Sequence, residues 1–182
     1  VGTFGAEALA GYGIGSRVEF RMIPLIFGIG TAMTSIVGAN IGAQNIERAE
    51  KVGIYGGSTA GIVSIFIGLT LAVFPDVWIQ FFTDDLKAYE VTKQYIQIVG
   101  PFYIFQGVGL SLYFASQGAN AMKWPTIATI ARFLIASIGG AVSIYWFGFG
   151  IESIFFSSSL AMMIFGAMIF ISIKRGAWRK TF

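Results

Sequence analysis

The sequence contains no cysteine and no histidine. The first absence excludes a disulfide framework and thiolate chemistry; the second removes the imidazole general base, the haem histidine and the usual zinc ligands. The redox compartment is therefore unreadable. Charge is also scarce: 12 Lys and Arg with 9 Asp and Glu make up 12% of 182 residues, against about one quarter in a soluble globular domain. A chain that is 55% hydrophobic and 16% aromatic has too few polar groups to coat a globule, whereas a lipid-facing exterior needs no such coat. Intrinsic disorder is excluded on the same grounds. No metal site, organic cofactor or nucleic-acid partner is expected. The chain opens on Val1, in a segment that looks neither like a signal peptide nor like a complete apolar span, and part of something longer is expected.

What the sequence does have is long apolar runs. Marking every charge leaves five free stretches: Met22 to Ile46, Val52 to Pro75, Gln94 to Met122, Phe133 to Ile151 and Ser153 to Ile173. Each is near the roughly 20 residues that a helix needs to cross about 30 Å of hydrocarbon. Apolar and polar residues do not alternate with period two, so helices rather than a barrel satisfy the backbone in lipid. The expected fold is an all-α membrane protein, a polytopic bundle of five full transmembrane helices plus the end of a sixth. The spans fall at about 12–44, 52–75, 94–120, 127–149 and 153–173, followed by a basic tail at 174–182. The first begins before Met22 because only Arg17, Glu19 and Arg21 interrupt it.

The connecting charges orient the bundle. Lys174, Arg175, Arg179 and Lys180, with no acid among them, put the C-terminus in the cytoplasm by the positive-inside rule. Counting backwards places Glu152 outside, Lys123 to Arg132 inside, Asp76 to Lys93 outside and Glu47 to Lys51 inside. Arg17, Arg21, Lys87 and Lys93 are then the outer basic residues, and the other eight of the 12 are inner. In the longest loop, Thr83 is expected to cap a short helix through Lys87 and Glu90. Trp78, Phe81, Phe82, Trp124, Trp146 and Trp178 lie near span ends, as an interfacial aromatic belt predicts.

Three groups of residues stand out inside the spans. Tyr103, Gln106, Tyr113, Gln117 and Asn120 fall within one arc of about 100° on the third helix. Facing lipid would leave their polar groups unpaired, so they either bond to other helices or line a substrate pathway. Arg17 and Arg21 share one face of the first span while Glu19 points largely the other way, ahead of a bend site at Pro24. Either Glu19 or the arginine pair looks into a bundle or cavity, unless all three snorkel at the outer interface. A buried Glu19 would act as a reversible proton carrier or a cation ligand. Gly53, Gly57, Gly61, Ser64 and Gly68 form a small-residue seam on the second span, read as helix packing. The run Gly13-Ile14-Gly15 is not a nucleotide loop, because no strand precedes it.

Specific residues resemble a known family. Gly5-Ala6-Glu7-Ala8-Leu9-Ala10-Gly11-Tyr12-Gly13-Ile14, Ser16-Arg17-Val18-Glu19 and Ile23-Pro24 are similar to the C-terminal half of multidrug and toxic compound extrusion (MATE) transporters. The most specific stretch is Val37 to Ala49, in which Gly38, Asn40, Gly42, Ala43 and Arg48 carry the motif. Phe81-Phe82-Thr83-Asp84 and Gln117-Gly118 with Pro125 also fit. The resemblance implies one lobe of a twelve-helix, two-lobed transporter, with helices eight to twelve and the outer end of helix seven present and the N-terminal lobe missing.

It further implies a secondary antiporter in a plasma or inner membrane that exports small cationic or amphiphilic organic compounds by alternating access, with sodium or protons as the coupling ion. Glu19 matches the Glu of an R-[IV]-E motif and is the coupling-ion candidate. Arg17, Arg21, Tyr103, Gln106, Tyr113, Gln117 and Asn120 are the cavity-lining candidates. Many members carry an acid in helix ten where Gln106 falls here, which leaves a sodium site in this lobe incomplete. The alternatives are a lipid-linked flippase of the same superfamily and a membrane assembly subunit without transport. A membrane enzyme is disfavoured by the missing His and Cys and by the lack of paired intramembrane carboxylates.

Overall fold

A computed structural model of the chain describes residues 1–179. After a 3₁₀ turn at Gly2–Phe4, helix α1 runs Ala6–Gly42, α2 Ile46–Val73, α3 Asp76–Ile79 and α4 Leu86–Val99. A second 3₁₀ turn, Gly100–Phe102, leads into α5, Tyr103–Gly118. Helix α6 covers Lys123–Leu134, widens into a π turn at Ile135–Gly139 and continues as α7, Gly140–Tyr145, before α8 closes the order at Glu152–Lys174. Among the described residues, five helical segments are long and apolar enough to span a membrane: Ala6–Gly42, Ile46–Val73, Leu86–Gly118, Lys123–Tyr145 and Glu152–Lys174. The chain is an all-helical integral membrane bundle.

Two bounds differ from the charge-based reading for a physical reason. The third span starts at Leu86 instead of near Gln94, because the Asp85 carboxylate accepts from the Ala88 backbone N–H at 2.8 Å and nucleates the helix earlier. Thr83 is not the cap; its hydroxyl accepts from the Asp85 N–H at 3.1 Å and shapes the turn ahead of it. The fourth span begins at Lys123, about four residues ahead of the expected 127, so Arg132, which the expected span already contained, lies well inside it. It lies nine residues into a 23-residue span, close to mid-membrane at about 1.5 Å per residue.

Helix α5 is the centre of the bundle and packs against α1, α2 and α8. Small residues permit the close approach. A Cβ added at Gly68 would collide with the Gly100 carbonyl, one at Gly61 with Val108 and one at Gly57 with Leu112, so the α2 seam is the surface laid against α5 and the turn before it. Gly53 instead receives the Trp178 ring. On α1, Gly11 and Gly15 meet Val91 and Tyr95 of α4, and on α5, Gly109 meets Phe165 of α8. In the Gly13-Ile14-Gly15 run, Gly15 therefore belongs to a helix-packing face, while a Cβ at Gly13 would meet nothing within 4 Å.

The core has two parts stacked along the bundle. One, around Val18, Ile26, Tyr95, Ile96, Tyr103 and Phe155, lies toward the end that carries Val1. The other, around Val37, Leu112, Ala115, Ile169 and Trp178, lies toward the end where α8 finishes. At that second end, α1, α5 and α8 stop in the same way. Gln44, Asn120 and Gly176 have φ of 58°, 51° and 76°, and the following N–H returns to the carbonyl five residues back in each case. Gly176 reaches this left-handed region without steric penalty.

The turn after Gly176 overturns one expectation. Trp178 is fully buried instead of sitting at headgroup level, and its indole N–H donates to the Ser116 hydroxyl at 3.3 Å. The next residue, Arg179, forks onto Glu50 with N···O distances of 2.9 and 2.6 Å. That pairing holds the Arg179 guanidinium above its ordinary value. The first part of the basic tail is thus docked on α2 and α5. Lys180, counted in that tail, lies outside the described residues.

Candidate functional site

Pro101 has no backbone N–H, and the chain tightens into a 3₁₀ turn at Gly100–Phe102 before α5 begins. This break sets Tyr103 and Gln106 facing the core. Tyr103 is fully buried and Gln106 is 4% exposed, and neither the Tyr103 hydroxyl nor the Gln106 Oε1 has a hydrogen-bond partner among the described residues. The Tyr103 hydroxyl lies close to that of Tyr95. Two polar atoms left orphaned in an apolar core are uncommon and mark a place where a further donor or acceptor fits.

Glu19 reaches the same region from α1. Its carboxyl accepts from the Tyr95 hydroxyl of α4, across the contact that Gly15 opens. An aromatic wall holds Tyr95 in place: the Tyr12 ring is 5.4 Å and the Phe155 ring 5.2 Å from it, both edge-on. Arg132 of α6 completes the cluster. Its guanidinium lies 5.3 Å from the centre of the Phe165 ring and interacts electrostatically with both Glu19 and Tyr95. It has no carboxylate within 4.0 Å and no hydrogen bond among the described residues.

Arg17 and Arg21 do not join this cluster. Arg17 lies over Phe82 at 5.5 Å and Arg21 over Trp78 at 4.9 Å, where Trp78 also donates to the Ile14 carbonyl at 3.2 Å. The three charges are thus sorted, with Glu19 toward the bundle and the two arginines onto the aromatic connection around α3 by cation–π contact. The polar arc on α5 is sorted too. Tyr103 and Gln106 come together in the interior, Tyr113 is half-buried, and Gln117 and Asn120 are exposed. The reason is that α5 ends at Gly118, so Asn120 sits in the left-handed turn beyond the helix on which the arc was drawn.

The motif residues near the turn between α1 and α2 are structural in their contacts. Gly38 passes the Gly118 carbonyl, where a Cβ would come to 3.4 Å. The Asn40 amide donates to the Ile36 carbonyl at 2.7 Å, and Ala43 ends α1. The Arg48 N–H caps on Asn45 at 3.2 Å, while Gly42 faces open space.

Sequence reasoning missed Arg132, Tyr95 and Tyr12. Arg132 had a signal, since a basic residue with 19 uncharged residues on its far side and only Lys123 nearby is compatible with a span start nearer Lys123. Tyr95 and Tyr12 had none, because an aromatic at helical spacing reads as core until its hydroxyl is seen to meet an acid.

A bundle of membrane-spanning helices that gathers one acid, one arginine and uncapped polar atoms in its interior has the architecture of a transporter lobe. The MatE family model matches residues 1–143, and the chain belongs to that family, whose members are transporters and not enzymes. It is 30% identical over 170 residues to "Probable multidrug resistance protein NorM" of Thermotoga maritima, covering 88% of this chain and 37% of that protein. It is 27% identical over 143 residues to "Multidrug and toxin extrusion protein 2" of Mus musculus, covering 78% of this chain and 23% of that one. The chain therefore spans well under half the length of these relatives. Among solved structures it matches a MOP superfamily transporter from Pyrococcus furiosus with a TM-score of 0.83 at 21% identity, over 97% of this chain and 39% of the other. At that identity the match shows the fold.

Proposed function

We propose that this chain forms the C-terminal lobe of a secondary active exporter of small organic cations and amphiphiles, driven by a sodium or proton gradient. The observation that carries the reading is Glu19, an acid of the first span held by Tyr95 in the region of the buried Tyr103 hydroxyl and Gln106 carbonyl. A carboxylate in such a place exchanges one cation for another readily, because it is unfavourable without a proton, a metal ion or an organic cation near it. Binding of the coupling ion at Glu19 then releases an organic cation, and the reverse exchange resets the site. A second lobe supplies the other wall, and rocking of the two lobes exposes the site to each side in turn.

The names of the relatives, multidrug resistance and toxin extrusion proteins, support the export direction. The excess of basic residues at the end where α8 finishes supports a cytoplasmic C-terminus in a plasma or inner membrane. The test is efflux by the full-length transporter in proteoliposomes. With a sodium or proton gradient imposed, a fluorescent organic cation is expected to move against its own gradient. No movement under either ion overturns the reading.

A further inference from the structure

At the end of the bundle where α8 finishes, the acids are taken and two cations are not. Glu47 is paired with Lys51 at 2.7 Å and Glu50 with Arg179 at 2.6 Å. Lys174, the last residue of α8, and Arg175, its cap, are exposed and pair with no carboxylate among the described residues. Each is placed at a different cavity. Arg175 lines one of about 440 Å³ with Trp124 from the start of α6 and with Met168, Ile171 and Ser172 of α8. The Lys174 ammonium lies 4.8 Å from the centre of the Phe170 ring, and Phe170 lines a second cavity of about 360 Å³ with Ile62 of α2 and Ile104 and Val108 of α5. Ile171 belongs to both linings, so the two cavities flank one exposed ridge of α8.

Both cavities lie within one leaflet. Gly166, in the lining of the second, comes about 12 Å before Lys174 along α8, which is less than half of a hydrocarbon core of about 30 Å. Among the described residues neither lining holds an acid, and the Ser172 hydroxyl is spent on the Ile169 carbonyl at 2.7 Å. The helix dipole accounts for cations at the end of α8, but not for an apolar slot beneath each of them. Two slots side by side under two cations have the shape of a two-chain lipid with an anionic head. A soluble anion has no use for the slots, and a zwitterionic lipid adds a cation where two already stand.

We propose that Lys174 and Arg175 bind the phosphate of one anionic phospholipid whose two acyl chains straddle Ile171, one in each cavity. The Arg175 guanidinium forks onto phosphate oxygens, the Lys174 ammonium adds a point charge, and Trp124 borders the head at the depth that indole rings favour. Basic pockets between membrane helices on the cytoplasmic side take anionic headgroups on the same principle. The site lies on the outer face of the bundle, apart from Glu19, and does not rest on the exporter reading.

The test is native mass spectrometry of the full-length transporter, titrated in detergent with dioleoyl phosphatidylglycerol or dioleoyl phosphatidylcholine. The first phosphatidylglycerol is expected to bind at least about tenfold more tightly than phosphatidylcholine, as two cations beside one lipid phosphate provide. Replacing both cations, Lys174→Gln with Arg175→Gln, is expected to bring that ratio close to one while phosphatidylcholine binding stays in place. Ala167→Phe fills the apolar cavity without touching a charge and is expected to weaken phosphatidylglycerol several-fold. Arg48→Gln removes an exposed cation of the same end that lies outside both linings, and is expected to leave the ratio as in the wild type.

Equal affinities for the two lipids in the wild type, or a ratio that survives the double replacement, overturns the proposal. So does an equal loss in Arg48→Gln, which would make the preference a diffuse attraction of the whole basic end. Full phosphatidylglycerol affinity in Ala167→Phe takes the chain out of its cavity, and displacement of the lipid by inorganic phosphate reduces the site to an anion site; either result overturns the proposal. A dimer mass that excludes the lipid gives the face to a second copy and does the same. Should the double replacement fail to fold, the wild-type ratio, Ala167→Phe and Arg48→Gln decide. Because lipid binding is read without a gradient, its failure leaves the exporter reading untouched, and failed export leaves this one.

Discussion

The Tyr95 hydroxyl donates to the Glu19 carboxyl across the interface between α4 and α1. The contact exists because Gly15, one turn before Glu19, leaves room for the Tyr95 ring against the α1 backbone. A polar bond in the membrane interior therefore depends on a missing side chain four residues away.

Tyr95→Phe tests the bond by itself. The ring contacts with Tyr12 and Phe155 remain, and only the donor to Glu19 is lost. A hydrogen bond to a charged group contributes about 1.5–3 kcal/mol, so coupled export by the full-length transporter is expected to fall roughly tenfold or more. The melting temperature in detergent should fall by only a few degrees, leaving the variant folded at the assay temperature, and export unchanged from the wild type would mark Tyr95 as packing alone.

Glu19→Gln keeps the side-chain volume and an acceptor for Tyr95 but removes the charge. Gradient-coupled export is expected to vanish while membrane insertion and the melting curve stay as in the wild type. Unchanged transport would move the coupling site elsewhere.

Gly68→Ala and Gly28→Ala form a contrasting pair. A methyl at Gly68 meets the Gly100 carbonyl, a backbone atom that cannot swing away, whereas nothing lies within 4 Å of a methyl at Gly28. Overpacking should destabilise the first by about 1–3 kcal/mol, and the second should be neutral or gain up to about 1 kcal/mol from helix propensity. Thermal melts of the two variants give the comparison, and equal effects would show that the α2 seam is not the tight contact described.

Trp178→Ala removes the side chain that fills the space against Gly53 and bonds to Ser116. A cost of about 3–5 kcal/mol is expected for losing a buried aromatic of this size. Trypsin should then cut at Arg175 and Arg179 faster than in the wild type. Unaltered cutting and melting would mean that the tail is not docked.

Cysteines introduced singly at Gln106, Gln117 and Asn120 report on the polar arc. Gln117→Cys and Asn120→Cys are expected to react quickly with a water-soluble maleimide, and Gln106→Cys slowly, because only the last is enclosed. Equal rates at all three would restore the single continuous stripe that the spacing suggests.

The spans themselves were legible in the chain, because hydropathy accumulates along a sequence and a helix in lipid needs no partner to satisfy its backbone. The small-residue seam on α2 was legible for a related reason: its spacing alone puts Gly57, Gly61 and Gly68 on one face. The same is true of the opposition between Glu19 and the Arg17 and Arg21 pair, which follows from 100° per residue.

Which of those faces meets which neighbour was decided only by the tertiary structure. One helix cannot say whether Glu19 or its flanking arginines look inward; the Tyr95 donor on α4 and the Trp78 and Phe82 rings beyond α2 make that choice. Nor can a run of four basic residues and one tryptophan reveal that Trp178 folds back beneath Gly53, since the pocket it enters is built by α2 and α5. Arg132 shows the limit most plainly. Its charge was countable from the start, but its seat over the Phe165 ring arises from the packing of α6 on α8, which no local pattern encodes.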